Sequence, residues 1–501
     1  MEFTSFGVLL YYLPVMLVGY YVLSSFKKAR NLWLTLCGLG FYFLNGIECA
    51  VLLVTLAALN YTMGFAINRF ATKAAEASRA HKNEDGGLTH ERKAKKAARN
   101  VMFVSVIVNL APLFAFVILP HLLGNFPQWF NIDLQYSPVV PFGMVFFALQ
   151  GISYTADIFR GNAKWNASIV STFVYFTFFP AVFAGPIIKY HEVANQIEER
   201  EITFDKSADG LGRLIVGLAK LCLIAEPLLA IGRMVMDRSN LSGLYTSAPV
   251  ALMLVGLGCC TIGMYHFFSG FSDVAIGMGK MLGFNLPENF RHPHLATTVT
   301  AFWQRCYSSL TGWFEEYVYD SLSKKRSNND KMVLHMLLMW LLIGLWTGPG
   351  LPHVIFGFWN FIFLLFEKVV EMEEKKKRTL FRHIYVIIVA IVSIIALNAD
   401  TMYQFTLYIS NLFGMKNYGF FSGFAMHLLT ENWPVLVVGL ICSFPFGTKL
   451  RQWADQKKGF FRVMSTLFYP IVMVVLAALI VLKLSGINYD PTQLFSLYLW
   501  S

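Results

Sequence analysis

An imidazole and a hydroxyl lie six positions apart in the segment "GLWTGPGLPHVIFGFWN", residues 344–360, between two long apolar runs. The imidazole of His353 is a candidate general base, because a neutral histidine accepts protons near physiological pH. Glycines and prolines separate it from Thr347, so the backbone between them is not helical throughout. If this break folds back, His353 reaches into a cavity. The alternative is that it hydrogen-bonds a carbonyl freed by Pro352.

A carboxylate interrupts the apolar segment "YHFFSGFSDVAIGMGKMLGF" at Asp273. A charge at membrane depth needs a partner or water, which makes Asp273 a candidate functional residue. An equally compatible alternative is that Asp273 caps a helix that begins at "VAIGMG". His191 and His266 are further candidates for lining a cavity, whereas His292 and His294 are predicted to be ordinary loop residues.

The segment "TTVTAFWQRCYSSLTGWFEEYVYDSLSKKR", residues 297–326, is predicted to form a helix that is aromatic on several faces. Trp303 and Trp313 are two of its aromatic residues, and it carries Arg305 inside it. Such a helix is too polar to span lipid and suits the membrane interface or a protein-lined cavity. His335 is predicted near the start of the next helix, at the interface.

These segments need a membrane scaffold to position them. Of the 501 residues, 56% are hydrophobic and 14% are charged, which is typical of a polytopic membrane protein. A membrane helix needs about 20 apolar residues, and its backbone must form its own hydrogen bonds. We predict one all-α domain, residues 1–501, with roughly 11–13 membrane helices. The apolar stretches are 5–24, 31–46, 48–68, 101–120, 138–157, 168–188, 211–236, 247–268, 332–347, 353–370, 383–398, 433–446 and 464–484.

The stretch 168–188 contains prolines at its end, in "FFPAVFAGPIIKYHEV". Pro180 and Pro186 free backbone carbonyls that only protein or cavity water can satisfy. This predicts a buried bend or a re-entrant element.

The net charge of +11 is concentrated beside the predicted spans. Basic residues crowd the segment 69–100 and the segment 27–30, which the positive-inside tendency makes cytoplasmic, with the N-terminus outside. No positively charged region precedes the first apolar run, which is therefore predicted to be a span and not a cleavable signal peptide. Further cytoplasmic clusters are predicted at Lys324, Lys325, Arg326, Lys331, Lys375, Lys376, Lys377, Arg378, Arg451, Lys457, Lys458 and Arg462.

The segment 69–100 is rich in Ala and Lys and is predicted to be a solvated loop. The alternative is a helix along the headgroups or a surface for an acidic carrier protein. Nucleic-acid binding is not predicted, since the basic runs flank spans. The seven cysteines lack CxxC or His spacing, so neither a zinc site nor a disulfide framework is predicted.

Four segments occur in an order and spacing that resemble the bacterial branch of the membrane-bound O-acyltransferase family. That branch includes the proteins of alginate O-acetylation and teichoic-acid D-alanylation. The segments are "FPAVFAGPIIKYHEVANQ", "FSGFSDVAIGMGKMLGFNLPENFRHP", "FWQRCYSSLTGWFEEYVYDSL" and "GLWTGPGLPHVIFGFWN". The N-terminal "LLYYLPVMLVGYYVLSSFKKARNLWLTLCGLGFYF" is similar as well, so the resemblance covers nearly the whole chain, with a motif core at about 171–365.

This resemblance implies a ring of tilted helices around a central tunnel or funnel. An activated acyl group would arrive there from the cytoplasm and an acceptor hydroxyl from the other face. In the family, a His in a "GLWHG" motif and another in a "FWRRWH" motif line this passage. The corresponding lining here is expected at Asp273, Trp303, Arg305, Trp313, Trp346 and Asn360, with Thr347 and Tyr307 at the two His positions.

The chain thus departs from the family pattern where acid–base chemistry is expected. A Thr hydroxyl does not ionise at neutral pH, and Tyr has a reference pKa of roughly 10. Phe267 stands where the family usually has an Asp, and Asn360 follows Trp359 where a second Trp-His pair occurs. Two main hypotheses stay open: an acyltransferase with a rearranged or base-free mechanism, in which His353 is the substitute base, and a pseudoenzyme acting as scaffold, regulator or acyl conduit. Broken helices alone would also fit a transporter.

The resemblance implies transfer of an acetyl-like acyl group to a hydroxyl of a cell-envelope polysaccharide or glycolipid. The expected donor is an acyl-coenzyme A or acyl-carrier-protein thioester, without a bound cofactor or metal. Expected partners are membrane lipids, an acyl-carrier protein on the cytoplasmic side and an extracytoplasmic acyltransferase. The expected location is the bacterial cytoplasmic membrane.

Overall fold

The structure is a computed structural model of the chain. It describes residues 7–80, 85–125, 140–141, 143–181, 185–236, 248–323, 329–372, 380–415, 419–447, 449, 453 and 460–486. The predicted basic clusters at 324–326 and 375–378 lie outside these residues, as do Arg451, Lys457, Lys458 and the side chain of Arg462.

The described parts of the chain are built from α-helices. In chain order these are α1 (Leu13–Val22), α2 (Lys27–Leu44), α3 (Ile47–Ala80), α4 (Asp85–Leu113), α5 (Leu119–Asn125), α6 (Met144–Arg160), α7 (Ile169–Phe176), α8 (Tyr190–Glu198), α9 (Phe204–Ala219), α10 (Glu226–Val235), α11 (Val250–Met281), α12 (Val299–Trp303), α13 (Ser308–Phe314), α14 (Asp320–Leu322), α15 (Asn329–Thr347), α16 (Leu351–Val369), α17 (Leu380–Leu397), α18 (Met402–Leu412), α19 (Gly423–Ser443) and α20 (Phe460–Leu484). Short π-helical segments precede α1 and connect α4 to α5, α9 to α10 and α13 to α14.

Eight helices in the described ranges are long and apolar enough to cross a membrane. They are Ile47–Arg79, Thr89–Leu123, Phe204–Val235, Val250–Met281, Leu351–Val369, Leu380–Leu397, Gly423–Ser443 and Leu467–Leu484; two shorter apolar helices are Val8–Val22 and Lys331–Thr347. The prediction of an all-α polytopic membrane protein is confirmed. The central tunnel stays a prediction.

The predicted stretch 168–188 bends instead of forming one span. α7 ends at Phe176, a 3₁₀ turn follows at Phe179–Ala181, and residues 185–188 are buried without being helical. Pro180 and Pro186 lack the N–H group that a continuing helix would need. The predicted buried bend is confirmed.

The segment 69–100 is largely helical, so the prediction of a solvated loop is wrong. α3 continues to Ala80 and α4 begins at Asp85, and the two helices pack together as an antiparallel hairpin. At about 1.5 Å per residue, α3 is much longer than the roughly 30 Å apolar core of a bilayer. Ala, Lys and Arg are strong helix formers, which explains the continuation. Exposed basic residues of the hairpin are Arg69, Lys73, Arg79, Arg92, Lys93, Lys95, Lys96 and Arg99.

Glycines allow α9 and α11 to pack very closely. A Cβ atom on Gly217 would lie 2.7 Å from the carbonyl oxygen of Gly270. One on Gly277 would lie 2.7 Å from the carbonyl oxygen of Gly210. Small residues permit such backbone approach between membrane helices. This close crossing brings Arg213 of α9 within hydrogen-bond distance of Asp273 of α11.

The prediction of a single helix over 297–326 is wrong. α12 ends at Trp303, and Tyr307 adopts a left-handed backbone conformation with φ of 50°. A left-handed residue ends the helical hydrogen-bond ladder. Arg305 therefore lies in a turn, where its carbonyl oxygen accepts a hydrogen bond from the backbone N–H of Arg291 at 2.9 Å. α13 begins only at Ser308.

Candidate functional site

Thr347 and His353 meet across the break between α15 and α16. α15 ends at Thr347, residues 348–350 are not helical, and α16 begins at Leu351. Pro352 is tolerated there because the first turn of a helix does not use its N–H groups. The predicted break is confirmed. His353 lies in the first turn of α16, and its Nδ1 atom is 3.2 Å from Oγ1 of Thr347.

Gly348 makes room for the imidazole ring of His353. A Cβ atom at position 348 would lie 2.2 Å from Nε2 and 2.2 Å from Cδ2 of His353. The backbone after α15 therefore packs directly against the ring, which is 6% exposed. Any side chain at position 348 would push the imidazole away from its present position.

The hydrogen bonds of Thr347 determine which nitrogen of His353 carries the proton. Oγ1 of Thr347 donates to the carbonyl oxygen of Gly344 at 2.7 Å. A hydroxyl has one proton, so Oγ1 accepts from Nδ1–H of His353. This tautomer, assigned from the hydrogen-bond network, leaves the basic lone pair on Nε2. The contact holds the imidazole in one orientation.

Tyr307 packs against Trp346 and so lies near the break. The centroids of these two rings are 6.3 Å apart, and Tyr307 is also stacked between Phe268 and Phe290 at 5.8 Å and 5.9 Å. Its hydroxyl donates to the carbonyl oxygen of Gly185 at 3.4 Å. Burial raises the pKa of this phenol far above its usual value. Tyr307 is therefore not a base at neutral pH.

Trp303 and Asn360, both predicted lining residues, are directly bonded. Nε1 of Trp303 donates to Oδ1 of Asn360 at 2.8 Å, and Nδ2 of Asn360 donates to Oγ of Ser393 at 3.1 Å. The ring of Trp303 also packs edge-on against Trp340 and Phe356, with centroids 5.4 Å and 5.6 Å away. These contacts attach α12 to α15, α16 and α17.

A buried carboxylate, Glu367, holds the start of α12. Its oxygens accept hydrogen bonds from the backbone N–H groups of Val299 and Thr300 and from the Thr300 hydroxyl. A carboxylate at a helix N-terminus satisfies free N–H groups and interacts favourably with the helix dipole. Glu367 and His353 both belong to α16. One helix therefore positions the candidate base and the segment that leads to Tyr307.

Asp273 is not a helix cap, and that alternative is wrong, because α11 continues through it. One of its oxygens accepts from Nε of Arg213 at 3.0 Å and the other from Nζ of Lys220 at 2.6 Å. Arg213 also pairs with Glu288. Cations from a neighbouring span thus compensate this carboxylate, as a charge within a membrane requires.

Arg305 and Trp313 are the remaining predicted lining residues. The side chain of Arg305 is half-buried in the turn after α12. Trp313 is 3% exposed and packs on Tyr317, with ring centroids 5.0 Å apart. Its Nε1 atom is buried and has no hydrogen-bond partner among the described residues. That these residues line a tunnel stays a prediction.

The other histidines singled out in the sequence each have contacts within the scaffold. Their partners are Asp157 for His191 (3.0 Å), the Gly439 carbonyl for His266 (2.8 Å), the Ser443 carbonyl for His292 (2.7 Å), the Phe444 ring for His294 (4.5 Å between centroids) and Ser323 for His335 (2.9 Å). His292 and His294 lie between helices, as predicted, and both contact the end of α19. All five histidines therefore connect neighbouring elements, and the lining of a cavity by His191 and His266 stays a prediction.

Ligand atoms of Asp157, His191 and Glu316 lie within 4.8 Å of one another. Two cations already face this set, since Glu316 pairs with Lys189 at 2.6 Å and with Arg160 at 3.8 Å. His191 uses Nδ1 for its contact with Asp157. The donor set therefore fits an ion-pair network better than a metal centre.

Sequence analysis missed several charged residues that the structure places in these clusters, among them Lys220 and Glu367. Lys220 lies in the apolar stretch 211–236, and Glu367 lies beside Lys368 near the end of the stretch 353–370. The rule that singled out Asp273, namely that a charge at membrane depth needs a partner, applies equally to both. Their partners depend on helix packing.

Comparison with known proteins identifies relatives over most of the chain. Residues 162–429 match the profile of the MBOAT, membrane-bound O-acyltransferase family. The probable alginate O-acetylase AlgI of Pseudomonas aeruginosa is 29% identical over 74% of this chain and 66% of its own length. The peptidoglycan O-acetyltransferase of Helicobacter pylori is 25% identical over 69% of this chain and 66% of its own length. The teichoic acid D-alanyltransferase of Bacillus subtilis is 24% identical over 61% of this chain and 77% of its own length.

The aligned part of the chain spans just under two thirds of the first two of these relatives. The family profile covers more than half of the chain and includes both Tyr307 and the Thr347–His353 pair. The resemblance seen in the motifs is confirmed. This multi-pass bacterial membrane protein belongs to the membrane-bound O-acyltransferase family.

Proposed function

We propose that the protein transfers an acyl group from a thioester to a hydroxyl of a cell-envelope polysaccharide or glycolipid. The observation that carries this proposal is the 3.2 Å contact between Thr347 and His353. This contact places the imidazole of His353 beside Thr347, the residue that stands at a family His position. The names of the relatives support an envelope polymer as acceptor and an acetyl-like group, since two are O-acetylating proteins by name.

In the proposed reaction, Nε2 of His353 takes the proton of the acceptor hydroxyl while that oxygen attacks the thioester carbonyl. The carbon–sulfur bond breaks, and the leaving thiolate takes the proton from the imidazolium. The products are an ester and a free thiol, and the imidazole returns to its neutral form. Thr347 holds the ring through Nδ1, so that Nε2 is the nitrogen that acts in the proposed reaction.

A second candidate function is that of a catalytically impaired family member, serving as a scaffold, regulator or acyl conduit for a partner. The environment of Tyr307 favours it. At this second family His position, a phenol is buried between two aromatic rings, and its pKa is far above neutral. In this hypothesis, His353 only helps to pack the break.

We further propose acyl-coenzyme A or an acyl-carrier-protein thioester as the donor. A groove on the hairpin of α3 and α4 is lined by apolar residues and by two lysines, one histidine and one glutamate, namely Phe70, Lys73, Glu76, Ala77, His90, Lys93, Ala94 and Ala97. Such a surface is complementary to an acidic carrier protein. A cytoplasmic hairpin agrees with the positive-inside tendency, which predicts an N-terminus outside the cytoplasm. We propose that an extracytoplasmic acyltransferase partner binds the opposite face.

The test is transfer of a labelled acyl group by the purified protein in lipid, from acyl-coenzyme A and from a carrier thioester, to envelope glycans. The unmodified chain is expected to be active, and His353→Ala is expected to lose about 10²–10⁴-fold in rate, the usual contribution of a general base. Undiminished transfer by His353→Ala would remove His353 as the base. If the unmodified chain is inactive and the Thr347→His, Tyr307→His double variant is active, the protein is a catalytically impaired member of the family.

A further inference from the structure

Two arginines are buried together where α1, α2 and the end of α8 meet. Arg30 lies in the first turn of α2 and is 4% exposed, and Arg200 follows α8 and is 8% exposed. Burying a charged side chain is unfavourable unless an opposite charge and hydrogen bonds compensate it. The partners of these two guanidinium groups therefore show whether the protein itself supplies that compensation.

Neutral acceptors surround Arg200. Its Nε atom donates to the Tyr20 hydroxyl at 2.9 Å, Nη1 to the Ile197 carbonyl oxygen at 2.7 Å, and Nη2 to Oδ1 of Asn31 at 2.8 Å. The guanidinium also lies 4.5 Å from the centre of the Phe284 ring. Arg200 is thus held in one position, but no carboxylate of the described residues forms a hydrogen bond with it.

The charge of Arg30 is compensated by even fewer hydrogen bonds. Its Nη1 atom donates to the carbonyl oxygen of Ser24 at 3.4 Å, which is long for a hydrogen bond. Its Nε and Nη2 atoms are buried and have no hydrogen-bond partner among the residues that the structure describes. Two donor nitrogens of a buried cation are therefore unused.

The two guanidiniums also repel each other. Burial lowers the pKa of Arg200, and the charge of Arg30 lowers it further. The acidic residue that acts on Arg200 is Glu198, whose Oε1 already accepts from Asn166 and Ser171 at 2.6 Å. Within the described ranges, neither arginine forms an ion pair. The cluster has an excess of positive charge.

The surroundings of Arg30 add to this positive field. Exposed Lys27 and Lys28 precede it, and the N-cap residue of the 18-residue helix α2, Phe26, makes no side-chain capping hydrogen bond. The first N–H groups of a helix and its dipole attract anions. This end of α2 is the one that the positive-inside tendency assigns to the cytoplasm.

We propose that Arg30 and Arg200 form a binding site for a phosphate group, which enters by displacing the long contact between Arg30 and Ser24. Guanidinium groups bind phosphate through pairs of N–H donors, and the unused nitrogens of Arg30 supply such donors. Two sources fit this chemistry. One is the headgroup of an anionic lipid. The other is the phosphate of a pantetheine-bearing thioester donor, and this source rests on the proposed function.

The test measures ligand binding to the purified full-length chain in an uncharged, phosphate-free detergent. Binding is detected by the change in Tm and quantified as a Kd. Phosphopantetheine is compared with pantetheine, and phosphatidic acid with diacylglycerol, because the members of each pair differ only in a phosphate group. We expect a phosphate-bearing probe to bind and its partner not to bind. Arg30→Gln is expected to weaken binding at least tenfold, and Arg69→Gln, at an exposed site on the hairpin, is expected to leave it unchanged.

Binding of phosphopantetheine that Arg30→Gln weakens identifies the donor as the source, and binding of phosphatidic acid alone identifies a lipid. Absence of binding by both probes, or equal loss in Arg30→Gln and Arg69→Gln, overturns the proposal.

A second measurement needs no ligand. Arg30→Met is expected to raise the Tm of the phosphate-free protein by removing an uncompensated charge, and a lowered Tm would contradict the site. Neither readout depends on acyl transfer, so an inactive protein can still bind phosphate.

Discussion

Nδ1 of His353 lies 3.2 Å from the hydroxyl oxygen of Thr347, across three non-helical residues that separate two helices. Thr347 stands where the family motif has a His, so the imidazole at this point comes from the next helix. The hydroxyl fixes the tautomer, and Gly348 leaves space for the ring. Both the presence and the orientation of the imidazole are therefore expected to matter.

Removing the Thr347 hydroxyl is expected to slow acyl transfer without weakening substrate binding. In Thr347→Val, Nδ1–H of His353 loses its acceptor, and we expect kcat to fall about 10–100-fold, as is usual when a group orienting an imidazole is removed. KM should change little. Thr347→Ser retains the oxygen and should keep most of the activity. Steady-state kinetics over a pH series measures both constants, and full kcat in the Val variant would show that the contact has no positioning role.

A methyl group at position 348 is expected to displace the imidazole. The Cβ atom of Gly348→Ala would lie 2.2 Å from Nε2 of His353, so the ring must move. We expect acyl transfer to fall at least tenfold while the protein stays folded, at roughly the level of the Thr347→Val variant. Gly258→Ala is the matched control, because a Cβ atom there meets nothing within 4 Å. Equal activity of the two variants would contradict the positioning of His353 by the break.

Loss of the Glu367 carboxylate is expected to destabilise the start of α12. Glu367→Ala leaves the buried N–H groups of Val299 and Thr300 without an acceptor, which costs about 1–3 kcal/mol in the free energy of unfolding. Glu367→Gln keeps one acceptor oxygen and should cost less. Denaturation in detergent measures the difference, and an unchanged stability of Glu367→Ala would mean that other groups satisfy these donors.

Neutralising Asp273 is expected to leave uncompensated cations between α9 and α11. Asp273→Asn removes the partner of Lys220, and breaking a buried pair in this way costs about 3–5 kcal/mol. Adding Lys220→Met should recover part of the loss, because Arg213 keeps its contact with Glu288. Tm values of the two single variants and the double variant form the test. Strict additivity would argue against coupling between the two side chains.

The stability of the protein is expected to fall between pH 6.5 and 4, partly through His294. Burial lowers the pKa of this histidine to about 4, with His292 adding to the effect. Its reference pKa is about 6.5. The unfolded chain therefore binds a proton in this window that the folded chain does not, so stability is present above the window and is lost as the pH falls. His294→Phe keeps a ring against Phe444 and should flatten the profile, whereas an exposed-site control, His427→Gln, should not. An unchanged slope in His294→Phe would contradict this assignment.

The sequence predicted those parts of the fold that depend on local composition. The break after Thr347 and the bend at Pro180 follow from proline and glycine, whose effects on a helix are local. The same local reasoning failed at the segment 69–100. Basic residues next to a span suggested a loop, but the high helix propensity of Ala and Lys makes the segment helical. Local reasoning also failed after Trp303, because the left-handed conformation of Tyr307 is set by its neighbours and not by its own preference.

By itself, the sequence determined that this is a many-helix membrane protein with acyltransferase-like motifs, because apolar length and motif order are properties of the chain alone. It also identified Asp273 as a charge that needs a partner and His353 as a candidate base. Only the tertiary structure decided that the partners are Lys220 and Thr347, and that Glu367 holds a helix some 70 positions earlier in the chain. The physical reason is that hydrogen bonds and ion pairs act over about 3–4 Å, a distance that helix packing and backbone folding set and residue spacing does not.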